Sequence, residues 1–514
     1  MLLADVVTAS AAVAGTRSRT GKAAVIADLL RRAGIDEVEP VTGWLAGEAR
    51  QGRLGVGWRT LSRLAGEPAA APSLEVVEVD GALTDLAATG GAGSTARRDA
   101  TVTALLAAAT AEEQHFLVRL LSGELRQGAL EGVVLDAVAA AAGVPSAAVR
   151  RAFMLSGRLP GTAALALTGG VAALDAVRLE VGRPVRPMLA SPGASLDAAL
   201  ADLGPGVTVE HKLDGARIQV HRDGDVVRVW TRTLREVTGG VPELVDRVRA
   251  LPCDTAVLDG ETLALDDDGR PRAFQDTMSR FGSGAGGETA DEGVLLSPFF
   301  FDLLHLDGRD LLDEPLHVRL DALAGLLSAE EHAPLRMPGV REPDPGQAAA
   351  VLDAALDAGH EGVVVKALGA AYAAGRRGRA WQKVKPVHTL DLVVLGAEWG
   401  YGRRSGKLSN IHLGARDPDG GEPVMVGKTF KGMTDELLDW QTRTFPAHAA
   451  ERTGWGLRLR PELVVEIALD GAQRSPRYPG GVALRFARVV RYRPDKSPAD
   501  ADTVDAVRAL LAGP

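Results

Sequence analysis

Hydrophobic and polar residues follow three different patterns along the chain. Up to about residue 180, apolar positions recur at helical spacing, as in KAAVIADLLRRAG (22–34) and TALLAAATAEEQHFLVRLLSGELRQG (103–128). Ala and Leu dominate this part, and glycines separate its periodic segments. The pattern therefore predicts an all-α domain over residues 1–182.

The pattern changes to short β-branched runs after this point. Runs such as VTVEHK (207–212), ARIQVH (216–221) and EGVVVK (361–366) are divided by Asp-Gly turns. They predict a mixed α/β domain with mostly antiparallel strands over 183–388. Beyond it, five or so short strands with one helix near 434–444 favour a small Greek-key barrel of the oligonucleotide-binding (OB) type over 389–514.

Length and composition agree with three domains and exclude several classes of protein. The chain has 514 residues, 46% of them hydrophobic, yet no apolar run reaches the roughly 18 residues that span a bilayer. The apolar start is interrupted by Asp5, and its basic residues follow the apolar stretch, so a first helix is expected rather than a signal peptide. The single cysteine, Cys253, excludes a disulfide framework and a cysteine zinc site. We therefore expect a cytoplasmic protein without a membrane partner.

Charge is distributed unevenly. The net charge is −9, but residues 474–496 carry seven Lys and Arg against the single acid Asp495. Residues 376–385 carry five cations and no acid. Such stripes suit phosphate binding, although a solvated basic face has the same composition.

One lysine stands at a chemically informative place. In EHKLDGARIQVHRDG (210–224), Lys212 ends a predicted strand just before an Asp-Gly pair. A solvated lysine in a surface turn is the simplest interpretation. A nucleophilic lysine would also need neighbouring cations, phosphate-binding groups, carboxylates for a metal and an aromatic face for a base.

The middle region supplies each of these groups. Strand-end carboxylates suit Mg²⁺, which binds through one or two of them together with waters and phosphates. Alternation in FFFD should send one phenylalanine to the core and leave another for stacking, and two lysines two residues apart share one strand face. The residues in question are Arg217, Arg232, Glu261, Phe301, Glu361, Lys383 and Lys385.

Seven segments, taken together and in order, resemble the ATP-dependent DNA ligases of the covalent nucleotidyltransferase superfamily. The helical region adds GWLAGE (43–48) and LLSGELRQGALEG (120–132), and RPVRPMLA (183–190) is similar to the linker of these enzymes. The resemblance thus covers nearly the whole chain. The seven segments are KLDG (212–215), TRTLREVT (231–238), LDGE (258–261), FFD (300–302), EGVVVK (361–366), WQKVK (381–385) and RFARVVRYRPDK (485–496).

The resemblance implies a role for each candidate residue. Lys212 would take AMP from ATP, Glu210 would border the adenine, and Phe301 would stack on it. Arg217 and Arg232 would hold ribose and phosphate, and Glu261 and Glu361 would serve the sugar and Mg²⁺. The phosphates would be lined by Lys366, Arg377, Lys383 and Lys385, and the departing pyrophosphate would be oriented by Arg493, Asp495 and Lys496.

The helical domain would bind nicked double-stranded DNA. Gly123, Arg126 and Gly128 lie close together in LLSGELRQGALEG, where glycines near a helix end let backbone N–H groups approach phosphates. An ordinary helix–turn–helix packing contact has the same pattern. The resemblance implies a monomer that works in the cytoplasm, at the nucleoid in a bacterium, in DNA replication, repair or recombination.

Three departures and three rival functions remain. His211 stands where an aromatic residue is common, Ala487 where proline is usual, and Pro494 where an acid is frequent.

An RNA ligase or a capping-type guanylyltransferase shares the Lys-x-Asp-Gly core but lacks this long helical domain. An NAD-dependent ligase needs four cysteines, which the chain lacks, and a non-catalytic DNA-binding scaffold would not need Lys212.

Overall fold

The fold is described from a computed structural model of the whole chain. The description covers residues 1–511 except 53, 126–130, 267–268, 273–276, 279, 281–294, 374–376, 386–387 and 402–403. The side chains of residues 377 and 378 are also outside it. Within the described chain, no helix is both long and apolar enough to cross a membrane.

The first region is helical, as its apolar periodicity predicts. Its helices bury one continuous apolar core around Trp44. Helix ends follow the local sequence: Thr110 caps Ala111–Leu121 by accepting from the Glu113 N–H, and Gly47 ends Ile35–Ala46 in the left-handed region. The described helices are Leu3–Gly15, Arg19–Arg32, Ile35–Ala46, Trp58–Leu64, Val76–Ala88, Ser94–Ala108, Ala111–Leu121, Glu131–Ala142, Ser146–Ser156 and Leu159–Asp175.

The second region contains two five-stranded sheets. One has the order β1-β10-β9-β2-β8 and the other β4-β3-β5-β6-β7, and all pairs but β1 with β10 are antiparallel. The mixed α/β prediction is thereby confirmed. The strands are β1 (Leu189–Pro192), β2 (Val207–Lys212), β3 (Ala216–Asp223), β4 (Val226–Thr231), β5 (Thr255–Ala264), β6 (Leu296–Leu306), β7 (Arg309–Asp310), β8 (Gly339–Arg341), β9 (Gly362–Ala367) and β10 (Arg377–Val384).

Four helices that lie entirely within the described residues accompany these sheets. Pro242–Arg249 and Leu316–Leu326 contribute to the core of the second sheet. Leu196–Leu203 and Pro345–Asp357 pack instead with the strands of the first sheet. Each sheet thus has one face covered by helices.

The third region is an OB-like sheet domain, called the barrel domain below, with more strands than the sequence pattern predicted. The pairings among its described strands do not close into a ring. One sheet has the order β13-β12-β11-β15-β14, and β16 joins β11 to β19. The long strand β11 pairs with β16 through its first half and with β15 through its second, which lets the sheet curve around one core. The strands are β11 (His388–Trp399), β12 (Leu408–Ala415), β13 (Val424–Thr429), β14 (Ala449–Thr453), β15 (Gly456–Leu459), β16 (Val464–Leu469), β17 (Gly471–Arg474), β18 (Val482–Arg485) and β19 (Arg488–Tyr492).

The described α-helices of the barrel domain are Asp435–Thr444 and Val504–Arg508. The first lies within a residue of the helix expected near 434–444.

The segment between the first two regions is packed rather than loose. Met154 and Leu155 of the helical region share a core with Val185, Leu213 and residues near the second sheet. The predicted boundary at 182/183 therefore crosses a common core, although it stays a prediction of where the functional units divide. Gln219 and His221 of β3 fix the segment, because the Gly182 N–H donates to His221 Nδ1 over 2.9 Å and the Val185 N–H to Gln219 Oε1 over 2.7 Å.

We expect this attachment to make the protein acid-sensitive through His221. Burial, aided by His305, lowers the pKa of His221 from 6.5 to about 3. Between pH 6.5 and 3, His221 is protonated in the unfolded chain but neutral in the folded chain. The free energy of unfolding therefore falls as the pH drops through this range, by about 2 kcal/mol at pH 5. Urea midpoints at pH 7.5 and 5 should differ less in His221→Gln than in the unchanged protein. An equal fall in both proteins would contradict this role.

Candidate active site

A cavity of 650 Å³ opens between the two sheets of the second region. Its size suits a nucleotide-sized ligand. Ten of the residues singled out in the sequence line it: Glu210, Lys212, Arg217, Arg232, Glu261, Phe301, Glu361, Lys366, Lys383 and Lys385.

Lys212 is the last residue of β2 and reaches into this cavity. Its strand partner in β9 is Gly362, and the Glu361 N–H donates to the Lys212 carbonyl over 2.9 Å. This register places the two side chains together, so Lys212 Nζ forms an ion pair with Glu361 Oε2. Lys385 Nζ lies 2.7 Å from the same oxygen. Burial alone would raise the pKa of Glu361, but the two lysines outweigh it and hold that pKa below its usual value.

The glycine of KLDG is required by a close approach to β5. A Cβ added at Gly215 would lie 2.4 Å from the Thr262 carbonyl oxygen and 3.0 Å from Glu261 Cγ. Any larger residue at position 215 would clash with the β5 backbone beside Glu261.

Arg217 is fixed by a buried network on the opposite wall. Its Nε and Nη2 donate to Asp259 over 3.0 and 2.6 Å, and Tyr372 Oη donates to the same carboxylate over 2.6 Å. The Met188 N–H in turn donates to Tyr372 Oη over 3.0 Å. Burial lowers the pKa of Arg217, but Asp259 more than compensates and raises it, so the guanidinium stays charged.

Aromatic rings and one buried ion pair form the inner end of the cavity. Phe300 packs in the core while Phe301 lines the cavity, as strand alternation predicts. Lys366 Nζ lies 2.5 Å from Glu210 and within 4.5 Å of the ring centroids of Phe301 and Trp381. A flat aromatic ligand could stack here beside a charged pair.

Glu261 and Glu361 are the carboxylates that could hold a metal. Burial raises the pKa of Glu261 to about 7, against the opposing effect of Lys212 and Arg217. In the described residues, no cluster of three or more His, Cys, Asp or Glu side chains forms a self-contained metal site. Two carboxylates beside a phosphate-sized cavity nevertheless fit Mg²⁺, which takes its remaining ligands from phosphates and water.

The barrel domain closes one side of the cavity with residues that were not singled out as site residues. Arg485 and Phe486 both line it. Arg485 Nη1 and Nη2 donate to the Asp214 carboxylate over 2.7 and 3.3 Å, and Phe486 is exposed with a positive φ of 54°. The basic stripe was a signal for Arg485, but nothing local identified its partner 271 residues earlier in the chain.

Other predicted residues lie elsewhere. Arg493 and Lys496 form ion pairs with Asp391 on the barrel, and Arg493 also pairs with Asp495, away from the cavity-lining set. The side chain of Arg377, in β10, is outside the described residues, as are Arg126 and Gly128. Gly123 follows the helix Ala111–Leu121 with φ of 71°.

The turn at Gly123 has a counterpart that the sequence analysis did not identify. GEARQGRL (47–54) repeats GELRQGAL (123–130), and each copy follows a helix. A Cβ at Gly47 would lie 3.3 Å from the Leu125 carbonyl oxygen, so the two copies are adjacent in space. In the first copy, Arg50 and Gln51 are both bound by Asp80.

Family comparisons cover most of the chain. The model described as "ATP dependent DNA ligase domain" matches residues 187–385. Those described as "DNA ligase N terminus" and "ATP dependent DNA ligase C terminal region" match residues 65–139 and 404–496.

Individual relatives match over nearly their whole length. A "Probable DNA ligase" of Rhodococcus jostii is 63% identical over all of both chains. One of Saccharopolyspora erythraea is 65% identical over 99% of this chain and 98% of its own. Among solved structures, "Pmar-Lig_PreS3" matches 95% of this chain and 99% of its own with a TM-score of 0.60 at 17% identity, a likeness of fold.

Proposed function

Because this chain belongs to the family of ATP-dependent DNA ligases, we propose that it seals nicks in duplex DNA through AMP carried on Lys212. It is a DNA ligase that uses ATP and acts on DNA. The assignment of steps to residues is our proposal.

The chemistry divides a difficult condensation into three transfers. In the first, Lys212 Nζ attacks the α-phosphorus of ATP, forms a P–N bond and expels pyrophosphate. In the second, an oxygen of the DNA 5′-phosphate attacks that phosphorus, the P–N bond breaks, and AMP passes to the DNA. In the third, the 3′-hydroxyl attacks the activated 5′-phosphate and AMP leaves.

The charged and aromatic candidate residues of the cavity have distinct tasks in this scheme. Arg217 and Arg232 hold the ribose and phosphate, and Lys366, Lys383 and Lys385 neutralise the phosphate oxygens. The adenine stacks on Phe301 beside Glu210. Glu261 and Glu361 would hold Mg²⁺, which neutralises phosphate charge during transfer when it is bound.

The observation that carries the proposal is the ion pair of Lys212 with Glu361, inside a cavity that also contains Arg217 and Lys385. The test is intact-protein and peptide mass spectrometry after incubation with ATP and a divalent metal. We expect an AMP adduct on Lys212 that forms with Mg²⁺ and not with EDTA. An adduct on another residue would overturn the assignment.

A guanylyltransferase or RNA ligase is the alternative. Incubation with GTP in place of ATP, and with nicked RNA in place of nicked DNA, separates the two. We expect adduct formation with ATP and sealing of the DNA nick.

Tyr372 should act by positioning Arg217. Tyr372→Phe removes the donor to Asp259 while keeping the ring, which is 2% exposed. We expect the KM for ATP to rise about tenfold, because a tenfold change corresponds to the free energy of roughly one charge-assisted hydrogen bond. The preference for ATP over an analogue without ribose hydroxyls should also fall. Tyr478→Phe serves as a control, and an equal loss with ATP and the analogue would indicate a structural effect instead.

We propose that the helical domain binds DNA through the segment 123–130. A truncation at residue 183 is a poor test, because Met154 and Leu155 pack in the core of the next domain. Arg126→Ala should instead weaken binding of nicked DNA and reduce the salt slope by about 0.9 if the arginine neutralises one phosphate. Self-adenylation should stay unchanged, because the cavity residues all lie beyond residue 188. An unchanged salt slope would contradict the contact.

We propose further that the enzyme acts as a monomer on the bacterial nucleoid in the cytoplasm. A nucleotide-sized cavity whose described lining comes from a single chain supports the monomer. Light scattering of the purified protein with and without nicked DNA tests it.

A further inference from the structure

The turn between β14 and β15 holds Trp455 in a fixed place, outside the nucleotide cavity. The Trp399 N–H donates to the Trp455 carbonyl over 3.0 Å, and the Gly456 N–H donates to Thr453 Oγ1 over 3.2 Å. Gly456 has φ of 159°, and a Cβ there would lie 2.0 Å from the Ala397 carbonyl oxygen. The backbone on both sides of Trp455 is therefore constrained.

The indole lies flat against the outer face of the barrel. Its ring stacks on His412 with centroids 4.9 Å apart and planes at 17°. His412 Nε2 lies 2.9 Å from Glu398 Oε1, and Asn410 Nδ2 donates to the other Glu398 oxygen over 2.8 Å. Beneath the ring, a Cβ at Gly396 would lie 3.5 Å from Trp455 Cη2, so the glycine leaves room for it.

The other face of Trp455 remains open, and the side chain is 41% exposed. Large aromatic rings are costly to expose to water, so a ring that is held outward by its neighbours indicates a binding role. Five of the six exposed aromatic residues in the described chain belong to the barrel domain: Trp399, Tyr401, Phe430, Trp455 and Phe486, with Trp58 as the sixth.

Cations lie on both sides of this ring. Strand register aligns Lys428, His412, Gly396 and Arg458 in one row across β13, β12, β11 and β15. Directly opposed residues share a face of the sheet, so Lys428 and Arg458 flank the indole. Lys428 Nζ is paired there with Glu398 Oε1, which leaves Arg458 as the cation that can take a phosphate. Arg458 is 66% exposed, and its ion pair with Glu451 spans 3.5 Å in solvent, so a phosphate could replace that carboxylate at little cost.

We propose that Trp455 is a stacking platform for an unpaired base of single-stranded DNA, with Arg458 beside the neighbouring phosphate. A base has a flat face whatever its identity, and base–aromatic stacking combined with cations is how proteins hold single strands without sequence preference. The inference rests on the proposed DNA substrate and concerns an unpaired strand beside a break, not the reacting phosphate.

The test measures binding of a dye-labelled oligothymidine of roughly 20 nucleotides by fluorescence anisotropy, using the full chain. Trp455→Ala should weaken binding about tenfold, the loss expected for one stacked base. Trp455→Phe keeps a ring and should stay near the unchanged protein. Val226→Ala, an exposed apolar side chain in the hairpin between β3 and β4, is the matched control.

An abasic oligonucleotide of the same length separates stacking from charge. All four proteins should bind it equally, because it keeps the phosphates and lacks the bases. Unchanged oligothymidine binding by Trp455→Ala, or an equal loss with the abasic strand, would overturn the proposal. Sealing of a simple nick by the unchanged protein is assayed in parallel. If it seals the nick but Trp455→Ala binds oligothymidine normally, only the platform is refuted. If it seals no nick, the proposed function is refuted, and the oligothymidine result still tests the platform.

Discussion

Lys212→Ala protein should form no covalent AMP adduct and seal no nicks. The amine is the atom that bonds to phosphorus, so its removal leaves the phosphate-binding groups without a nucleophile. The expected loss exceeds about 10⁴-fold, the scale on which nucleophile removal disables enzymes of this kind. Radiolabelled ATP followed by denaturing gel electrophoresis measures the adduct, and a nicked duplex with a labelled 5′-phosphate measures sealing.

Two companion proteins make this result specific. Lys212→Arg should fail equally, because a guanidinium stays protonated at neutral pH and cannot attack. Both variants should still seal a nick whose 5′-phosphate already carries AMP, since the third transfer does not form the lysine bond. An adduct retained by Lys212→Ala would refute the nucleophile, and failure on the pre-adenylated nick would indicate that the variant has lost its structure.

Adjacent residues made much of this site predictable. Lys212 was identified because a strand end, an Asp-Gly pair and a family motif coincide within four residues. Glu361 was identified in the same way at the start of β9, and the antiparallel register of β2 with β9 brings the two together. Reactive residues at strand ends can be predicted from the sequence because strand alternation and turn signals involve only neighbouring residues.

Long-range partners were not predictable in this way. Asp259 and Tyr372 are 113 positions apart, and neither belongs to a pattern that indicates the other, yet together they fix Arg217. The same holds for Asp214 with Arg485 and for the core that Met154 shares with Leu213. Such contacts depend on how whole domains dock, which residue spacing alone does not determine. The number of barrel strands was underestimated because short strands such as β14 and β15 leave little periodicity to detect.

The two basic segments of the barrel should serve different transfers. Arg485 holds the barrel against Asp214 of KLDG, while Arg493 and Lys496 pair with Asp391 outside the cavity-lining set. If Arg493 and Lys496 orient pyrophosphate, the barrel must turn a different surface to the cavity for the first transfer than the one seen here. Rotation of the barrel domain would bring different residues to the same cavity for different transfers.

Substitutions on the two segments should therefore have opposite effects. Arg493→Ala should slow adduct formation from ATP about 100-fold, the cost of removing a charge-stabilising donor, and leave sealing by pre-adenylated protein near normal. Arg485→Ala should form the adduct at close to the normal rate but slow sealing by pre-adenylated protein at least about tenfold, because the bidentate pair with Asp214 is lost. Arg508→Ala, on the last helix, is the control for loss of a barrel arginine. The measurement is the single-turnover rate of adduct formation from ATP and of sealing by pre-adenylated protein. If both variants slow the same one of these reactions, the barrel presents one surface throughout and the two segments do not serve different transfers.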